Sequence, residues 1–293
     1  MHYDEGAFYR PLFENNMLQL QVTKGCSHNR CKFCDMYHVP FAPAPHEEVL
    51  ADLDEAQRWY KDVPRVFLTG GNALCLPQDD LLFVLREIRK RFASATVGSF
   101  ARVTDIARKS DEELAQLVAM GVTDISIGTE SGLDAALTAM NKGFTASDIL
   151  QQCQRLDEVG LTYDLFYLLG MGGRGQGQAS ARATAALYSK LHPQRLMIHT
   201  MTAFSGTELA HEVAHGTFEL AGELENVREL RTFVERLDCE DGTYILGNHY
   251  GNVIPACGRV PEDREELLKV YDRVLACGNE AELVAQRAQM KSI

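Results

Sequence analysis

The first chemistry in this chain is carried by three cysteines within nine residues, Cys26, Cys31 and Cys34, in the run Lys24-Gly25-Cys26-Ser27-His28-Asn29-Arg30-Cys31-Lys32-Phe33-Cys34. They follow the apolar run Met17-Leu18-Gln19-Leu20-Gln21-Val22, and the spacing predicts one loop at a strand end folding around a single metal centre. The count of three matters. A closed zinc site takes four protein ligands, whereas an iron–sulfur cluster held by three thiolates leaves one iron open to a small molecule. Two other readings stay open: a zinc knuckle completed by His28 or by the better-placed His38, and three thiols of an inert core.

A second metal-binding pattern is His211-Glu212-Val213-Ala214-His215, a literal H-E-x-x-H. On a helix it sets two imidazoles on one face with the glutamate as base, the arrangement of a zinc peptidase. Gly216 follows at once and should end the helix, and no further histidine stands at a ligand's distance beyond it. An ordinary solvated helix after Ser205-Gly206-Thr207-Glu208 is the reading preferred, with the peptidase as a remote alternative. Cys75, Cys153, Cys239, Cys257 and Cys277 are scattered singly and read as reduced thiols. A second cluster on Cys239, Cys257 and Cys277 would span intervals of 17 and 19 residues with no C-x2-C pair, so inert thiols are preferred there too.

The elements that must position these groups show as an alternation. Short runs rich in Val, Ile, Leu and Phe at 17–22, 64–69, 95–101, 122–128, 162–169 and 195–201 are candidate strands. Helical spacing fills 46–60, 78–92, 110–120, 145–159 and 177–191, with Ser110-Asp111-Glu112-Glu113 as a capping box. Repeated βα units of this kind predict a parallel α/β barrel, whose working residues sit at the C-terminal strand ends.

Those ends carry chemistry. The first leads into the cysteine loop. The second leads into Thr69-Gly70-Gly71-Asn72, the third ends Gly98-Ser99-Phe100-Ala101-Arg102, and the fourth ends Gly128-Thr129-Glu130-Ser131-Gly132, with Met140-Asn141-Lys142-Gly143 following. The fifth ends Leu169-Gly170-Met171-Gly172-Gly173, another turn that lets backbone approach a ligand.

Taken in order, these motifs resemble the radical S-adenosylmethionine (SAM) superfamily over about residues 17–205. The run Gly128-Thr129-Glu130-Ser131-Gly132 closely resembles the G-x-E-S-G of the branches related to oxygen-independent coproporphyrinogen oxidase and to tRNA-modifying enzymes. The C-x4-C-x2-C spacing has one residue more than the superfamily's commonest form. The resemblance implies a partial (β/α)6 TIM-type barrel of the radical SAM kind with a helical C-terminal extension. It implies a [4Fe–4S] cluster on Cys26, Cys31 and Cys34, with SAM bound at the open iron. Phe33 would lie near the adenine, and Gly70, Gly71 and Asn72 would take the place of the Gly-Gly-Glu motif that holds the SAM amino group, with an amide for the carboxylate. Ser99, Arg102, Glu130 and Lys142 complete the implied cofactor contacts, Lys142 on the SAM carboxylate.

The activity implied is reductive cleavage of SAM to a 5′-deoxyadenosyl radical that takes hydrogen from a small-molecule or peptide substrate, with a flavodoxin- or ferredoxin-type electron donor. The alternatives are a tRNA- or porphyrin-modifying enzyme, or a cluster- or haem-carrying protein on the same fold. Three segments are expected: an irregular lead-in at 1–16, the barrel core at 17–217 and a capping extension at 218–293. In the extension, helices are expected at 223–237, 261–276 and 279–290, and the Gly247-Asn248-His249-Tyr250-Gly251-Asn252 loop is suited to orienting a polar substrate.

Composition bounds the partners. A net charge of −12 and a pI near 5.2 argue against capture of nucleic acid through its phosphates. Hydrophobic residues at 45% and charged residues at 24% are those of an ordinary globular chain, and no uncharged apolar run reaches membrane-spanning length. With no basic, then apolar, N-terminal stretch, a cytoplasmic protein is expected.

Overall fold

A computed structural model describes residues 1–2, 11–14, 17–37, 39–239 and 241–290. Most of the expected lead-in and His38, the alternative zinc ligand, lie outside the described residues. The chain divides into two compact units.

The first unit comprises Met1–Asn29, Met36–Gly128 and Gln154–Thr162. Its strands are β1 (Leu18–Gln21), β2 (Arg65–Thr69), β3 (Thr96–Ala101) and β4 (Val122–Glu130), the last two residues of β4 belonging to the second unit. β1 pairs β2, β2 pairs β3 and β3 pairs β4, all parallel, as βα crossovers require. The crossovers hold α1 (His46–Trp59), α2 (Gln78–Arg91), α3 (Val103–Ile106) and α4 (Asp111–Ala119). Buried on both faces, these strands need near-continuous apolar runs, and Leu20, Val66, Phe67, Ile125 and Ile127 are fully buried. The expected capping box forms at α4: Glu113 N–H donates to Ser110 Oγ, and Ser110 N–H donates to the Glu113 carboxylate.

At the N-terminal ends of these strands Arg65 binds Glu14 at 2.6 Å and Asp124 at 2.7 Å. A Cβ on Gly98 would come within 2.2 Å of that guanidinium, so glycine there makes room for the ion triad. The stabilising charges thus sit at the strand ends opposite to the cysteine loop. A two-residue ribbon, Thr23–Lys24 antiparallel to Ala42–Pro43, closes the base of that loop.

The second unit comprises Arg30–Asp35, Thr129–Cys153 and Tyr163–Ile293. It contains α5 (Asp134–Ala139), most of α6 (Ala146–Val159), β5 (Thr162–Leu169), α7 (Gly177–Tyr188), β6 (Arg195–Thr200), α8 (Glu208–Ala214) and α9 (Glu223–Arg236). β7 (Thr243–Leu246), β8 (Cys257–Val260), α10 (Arg264–Cys277) and α11 (Glu280–Gln289) follow. β5, β6 and β7 pair in parallel, and β8 turns back antiparallel to β7. Tyr167, Tyr188 and Phe233 form an aromatic cluster joining β5, α7 and α9, with Tyr167 and Phe233 centroids 4.7 Å apart.

Among the described residues, eight strands in mostly parallel arrangement with intervening helices, apart from the two-residue ribbon, make an α/β chain. The six expected strands occur within a residue or two of their expected bounds. The extension is not wholly helical. Thr243-Tyr244-Ile245-Leu246 and Cys257-Gly258-Arg259-Val260 are too short for a period to show, and the turn-rich run between them masks the hairpin.

Candidate cofactor site

In the first unit the site is built on the turn after β2. Gly70 has φ +112°, the left-handed region open to glycine, and its carbonyl accepts from Tyr37 Oη at 2.6 Å. A Cβ on Gly71 would lie 2.1 Å from the Gly25 carbonyl oxygen and 2.5 Å from Cys26 Cα, so only glycine lets the turn lie against the start of the cysteine loop. Asn72 is wholly buried. Its Oδ1 accepts from Ser27 N–H at 3.0 Å, and its Nδ2 donates to Ser27 Oγ and to Asp105 Oδ2, each at 2.7 Å. The amide expected to hold the SAM amino group is therefore engaged inside the protein. Ser99 Oγ donates to the Phe100 carbonyl at 3.0 Å, Arg102 Nη1 donates to Thr104 Oγ1, and Arg102 N–H donates to Asp105 Oδ2 at 2.8 Å. Burial pushes the Asp105 carboxyl above its ordinary range, against the opposing pull of the Asn72 bond.

In the second unit the site gathers at the end of β4. Glu130 holds φ +69°, a left-handed conformation that costs a non-glycine residue about 1–2 kcal/mol. Its carboxylate faces Lys142 Nζ at 3.3 Å, and Lys142 is only 4% exposed. The same ammonium lies 5.6 Å from the Phe33 ring centroid and 5.4 Å from that of Phe144, within cation–π range. Three of the expected residues, Phe33, Glu130 and Lys142, thus come together.

The turn that delivers Lys142 also holds the cysteine segment. Asn141, at φ +55°, ends α5 in the left-handed conformation and donates from Nδ2 to the Arg30 carbonyl at 2.8 Å, while Met140 O accepts from Lys32 N–H. From the other side α8 docks on the segment: Leu209 N–H donates to Lys32 O at 2.9 Å, and Lys32 Nζ binds Glu212 and, at 3.2 Å, Glu208. The Glu212 bond, helped by Glu208, raises the Lys32 ammonium above its ordinary value.

The H-E-x-x-H pattern is therefore engaged in another way: its glutamate binds Lys32. His215 caps α8 with its Nδ1 on the His211 carbonyl at 2.8 Å, and the two rings stack at 4.0 Å.

Cys26, Cys31 and Cys34 are each half-buried, and none of the eight cysteines forms a disulfide. Among the described residues no three His, Cys, Asp or Glu side chains are gathered so as to hold a metal ion. The donor chemistry fits an iron–sulfur cluster: three reachable thiols on nine residues of chain, with backbone packed closely at the first of them. Cys239, Cys257 and Cys277 lie apart in sequence and element, burial pushing the Cys239 thiol up to about 11 and so away from thiolate.

A family model for the Radical SAM superfamily matches residues 20–187, more than half of the chain. The chain belongs to the radical SAM superfamily. The cofactors of that superfamily are a [4Fe–4S] cluster and SAM.

Solved structures with the same fold include the radical SAM methyltransferase TsrM from Kitasatospora setae, solved with cobalamin and a [4Fe–4S] cluster bound. It has 15% identity and a TM-score of 0.56, covering 68% of this chain and 39% of TsrM. The coproporphyrinogen III oxidase HemN from Escherichia coli has 16% identity and a TM-score of 0.56, covering 75% of this chain and 52% of that one. Methylornithine synthase, PylB, has 14% identity and a TM-score of 0.55, covering 87% and 69%. This chain thus spans about two fifths of the length of TsrM. No curated protein matches it in sequence.

Three residues that the sequence did not single out are engaged at or near these strand ends and loops. Asp105 stands three places after Arg102, at the third position of α3, and that capping spacing was its only signal. Lys32 lies between two thiols, and nothing at short spacing links it to Glu208 or Glu212. His199 is the last residue but one of β6, its ring stacked on His249 at 3.8 Å and edge-on to Phe166. Burial and the neighbouring His249 push the His199 imidazole down to about 3. Only its strand-end position marked it in advance.

Proposed function

We propose that this radical SAM enzyme binds its cluster through Cys26, Cys31 and Cys34 and acts on a small-molecule or peptide substrate. The observation that carries the reading is the joining of Phe33, Glu130 and Lys142 around a left-handed strand end beside the cysteine segment. When bound, the cluster supplies the electron that cleaves SAM to methionine and a 5′-deoxyadenosyl radical. The chain's own residues bind and shield. Lys142 pairs with the SAM carboxylate, exchanging its contact with Glu130 for a charge-assisted bond of similar kind. Glu130 takes a donor of SAM, Phe33 lies near the adenine, and the Gly70–Gly71 backbone bounds the methionine end.

Residues 17–217 form the core that carries these contacts, and 218–293 cap it. A flavodoxin- or ferredoxin-type protein delivers the electron, in the cytoplasm; among the described residues no helix is long and apolar enough to cross a membrane.

The test is anaerobic reconstitution followed by dithionite and SAM. Wild-type protein should hold about four iron and form 5′-deoxyadenosine, and Ala at Cys26, Cys31 or Cys34 should abolish both, whereas Ala at Cys257 should not. Stoichiometric zinc without labile sulfide would overturn the reading.

A further inference from the structure

The superfamily's Gly-Gly-Glu motif reads Gly70-Gly71-Asn72 here, and the surroundings of residue 72 give a physical reason. An asparagine before a helical turn commonly caps it, yet the Asn72 side chain makes no cap bond to the 3-10 turn Ala73–Cys75. Its amide points the other way and is oriented twice over. Ser27 N–H can only donate, so it needs the Asn72 oxygen; the Asp105 carboxylate accepts from the Asn72 NH2. Ser27 donates its backbone N–H to this one side chain and accepts from it at its hydroxyl oxygen. Asp105 is 1% exposed and is held in turn by Arg102 N–H; its Oδ1 has no hydrogen-bond partner among the described residues. A glutamate at 72 would place a second carboxylate against Asp105 in a buried site, replacing the amide's donated bond with like-charge repulsion and leaving the Ser27 and Arg102 N–H groups as the donors to the pair.

We propose that Asn72 and Asp105 form a positioning relay that fixes Ser27, and with it the thiol of the adjoining Cys26, and that Asp105 is why residue 72 is an amide. Gly71 presses on Cys26 Cα from one side while Ser27 is tied from the other, so the backbone of the first thiol is set before any ligand arrives. Residue 72 then holds the loop and leaves the SAM amino group to other contacts. The relay's importance for iron rests on the reading of Cys26 as a ligand; its hold on Ser27 does not.

The test exchanges the two side chains. Asn72→Asp alone sets two carboxylates face to face; combined with Asp105→Asn it restores donor and acceptor with their places reversed. In the apo protein, hydrogen exchange at the Ser27 amide should quicken about tenfold or more in Asn72→Asp and return toward the wild-type rate in the double variant. Iron retained after reconstitution should follow the same order. Unchanged Ser27 protection in Asn72→Asp overturns the relay, as does a double variant no better than the single one. If wild type protects Ser27 as expected but takes up no iron, the relay stands and the cluster assignment fails.

Discussion

The first unit holds its part of the cysteine segment with a buried amide and a buried carboxylate; the second holds its part with a lysine between two partly exposed carboxylates. Asn72 is 0% exposed and Asp105 1%, whereas the Lys32 and Glu212 side chains are each 24% exposed and Glu208 60%. The two sets of contacts look alike, but the energetics differ. A buried group that loses its partner keeps its full desolvation cost, while a surface ion regains water and loses little. The segment is thus anchored firmly at Ser27 and lightly at Lys32, where its backbone bonds to Met140 and Leu209 carry more of the hold.

The comparison is broken most directly by matched deletions. Asn72→Leu leaves the Ser27 N–H, its hydroxyl and the Asp105 carboxylate short of partners, and should cost about 3 kcal/mol or more at about 1–3 kcal/mol for each buried group. Lys32→Met keeps the alkyl stem and should cost about 0–1 kcal/mol. Urea unfolding monitored by far-UV circular dichroism measures both. Equal losses would mean that burial does not separate the two anchors.

That contrast also marks what the sequence could and could not tell. Strand ends, glycine turns and the Ser110 cap were legible because each depends on residue type at short spacing or on strand order. The Asn72–Asp105 contact joins residues 33 apart, and nothing in the letter N distinguishes an amide facing a ligand from one facing Asp105. Lys32 meets Glu212 across 180 residues, so H-E-x-x-H, preferred as a solvated helix, gave no local sign that its glutamate belongs to an ion pair. The short strands β7 and β8 were missed for a related reason: four residues pair only because β6 presents a sheet edge to receive them.

Acid should sharpen the difference. An imidazole held near 3 in the fold and about 6.5 when unfolded leaves the unfolded chain binding more protons between those values. The contribution of His199 is therefore fully present above about pH 6.5 and falls as pH drops toward 3, by up to about 1.4 kcal/mol per unit. Asp105, raised by burial, acts with the opposite sign: it favours the fold as pH falls through its raised value toward the ordinary carboxylate range. Glu223 and Glu229 in the second unit, also raised by burial, act as Asp105 does, so the measurement belongs on a variant. His199→Phe should flatten the loss of stability between pH 6.5 and 4.5 by about 2 kcal/mol relative to wild type, read from urea midpoints at both pH values. Parallel curves would mean that the His199 imidazole is not held below its ordinary value in the fold.

The smallest effects should come from α8. Glu212→Gln keeps a hydrogen-bond acceptor for Lys32 and leaves Glu208 in place, so stability should change by no more than about 0.5 kcal/mol. The Leu209 N–H to Lys32 O bond survives the change, because it belongs to the backbone of α8. His211→Ala with His215→Ala removes a surface ring stack and one bond to a helix-end carbonyl, and should leave iron content and 5′-deoxyadenosine formation at wild-type levels. Metal analysis of the double variant beside wild type decides the matter. Bound zinc lost together with a peptidase activity would show that α8 is a metal site in its own right, and the light anchor at Lys32 would then be incidental to it.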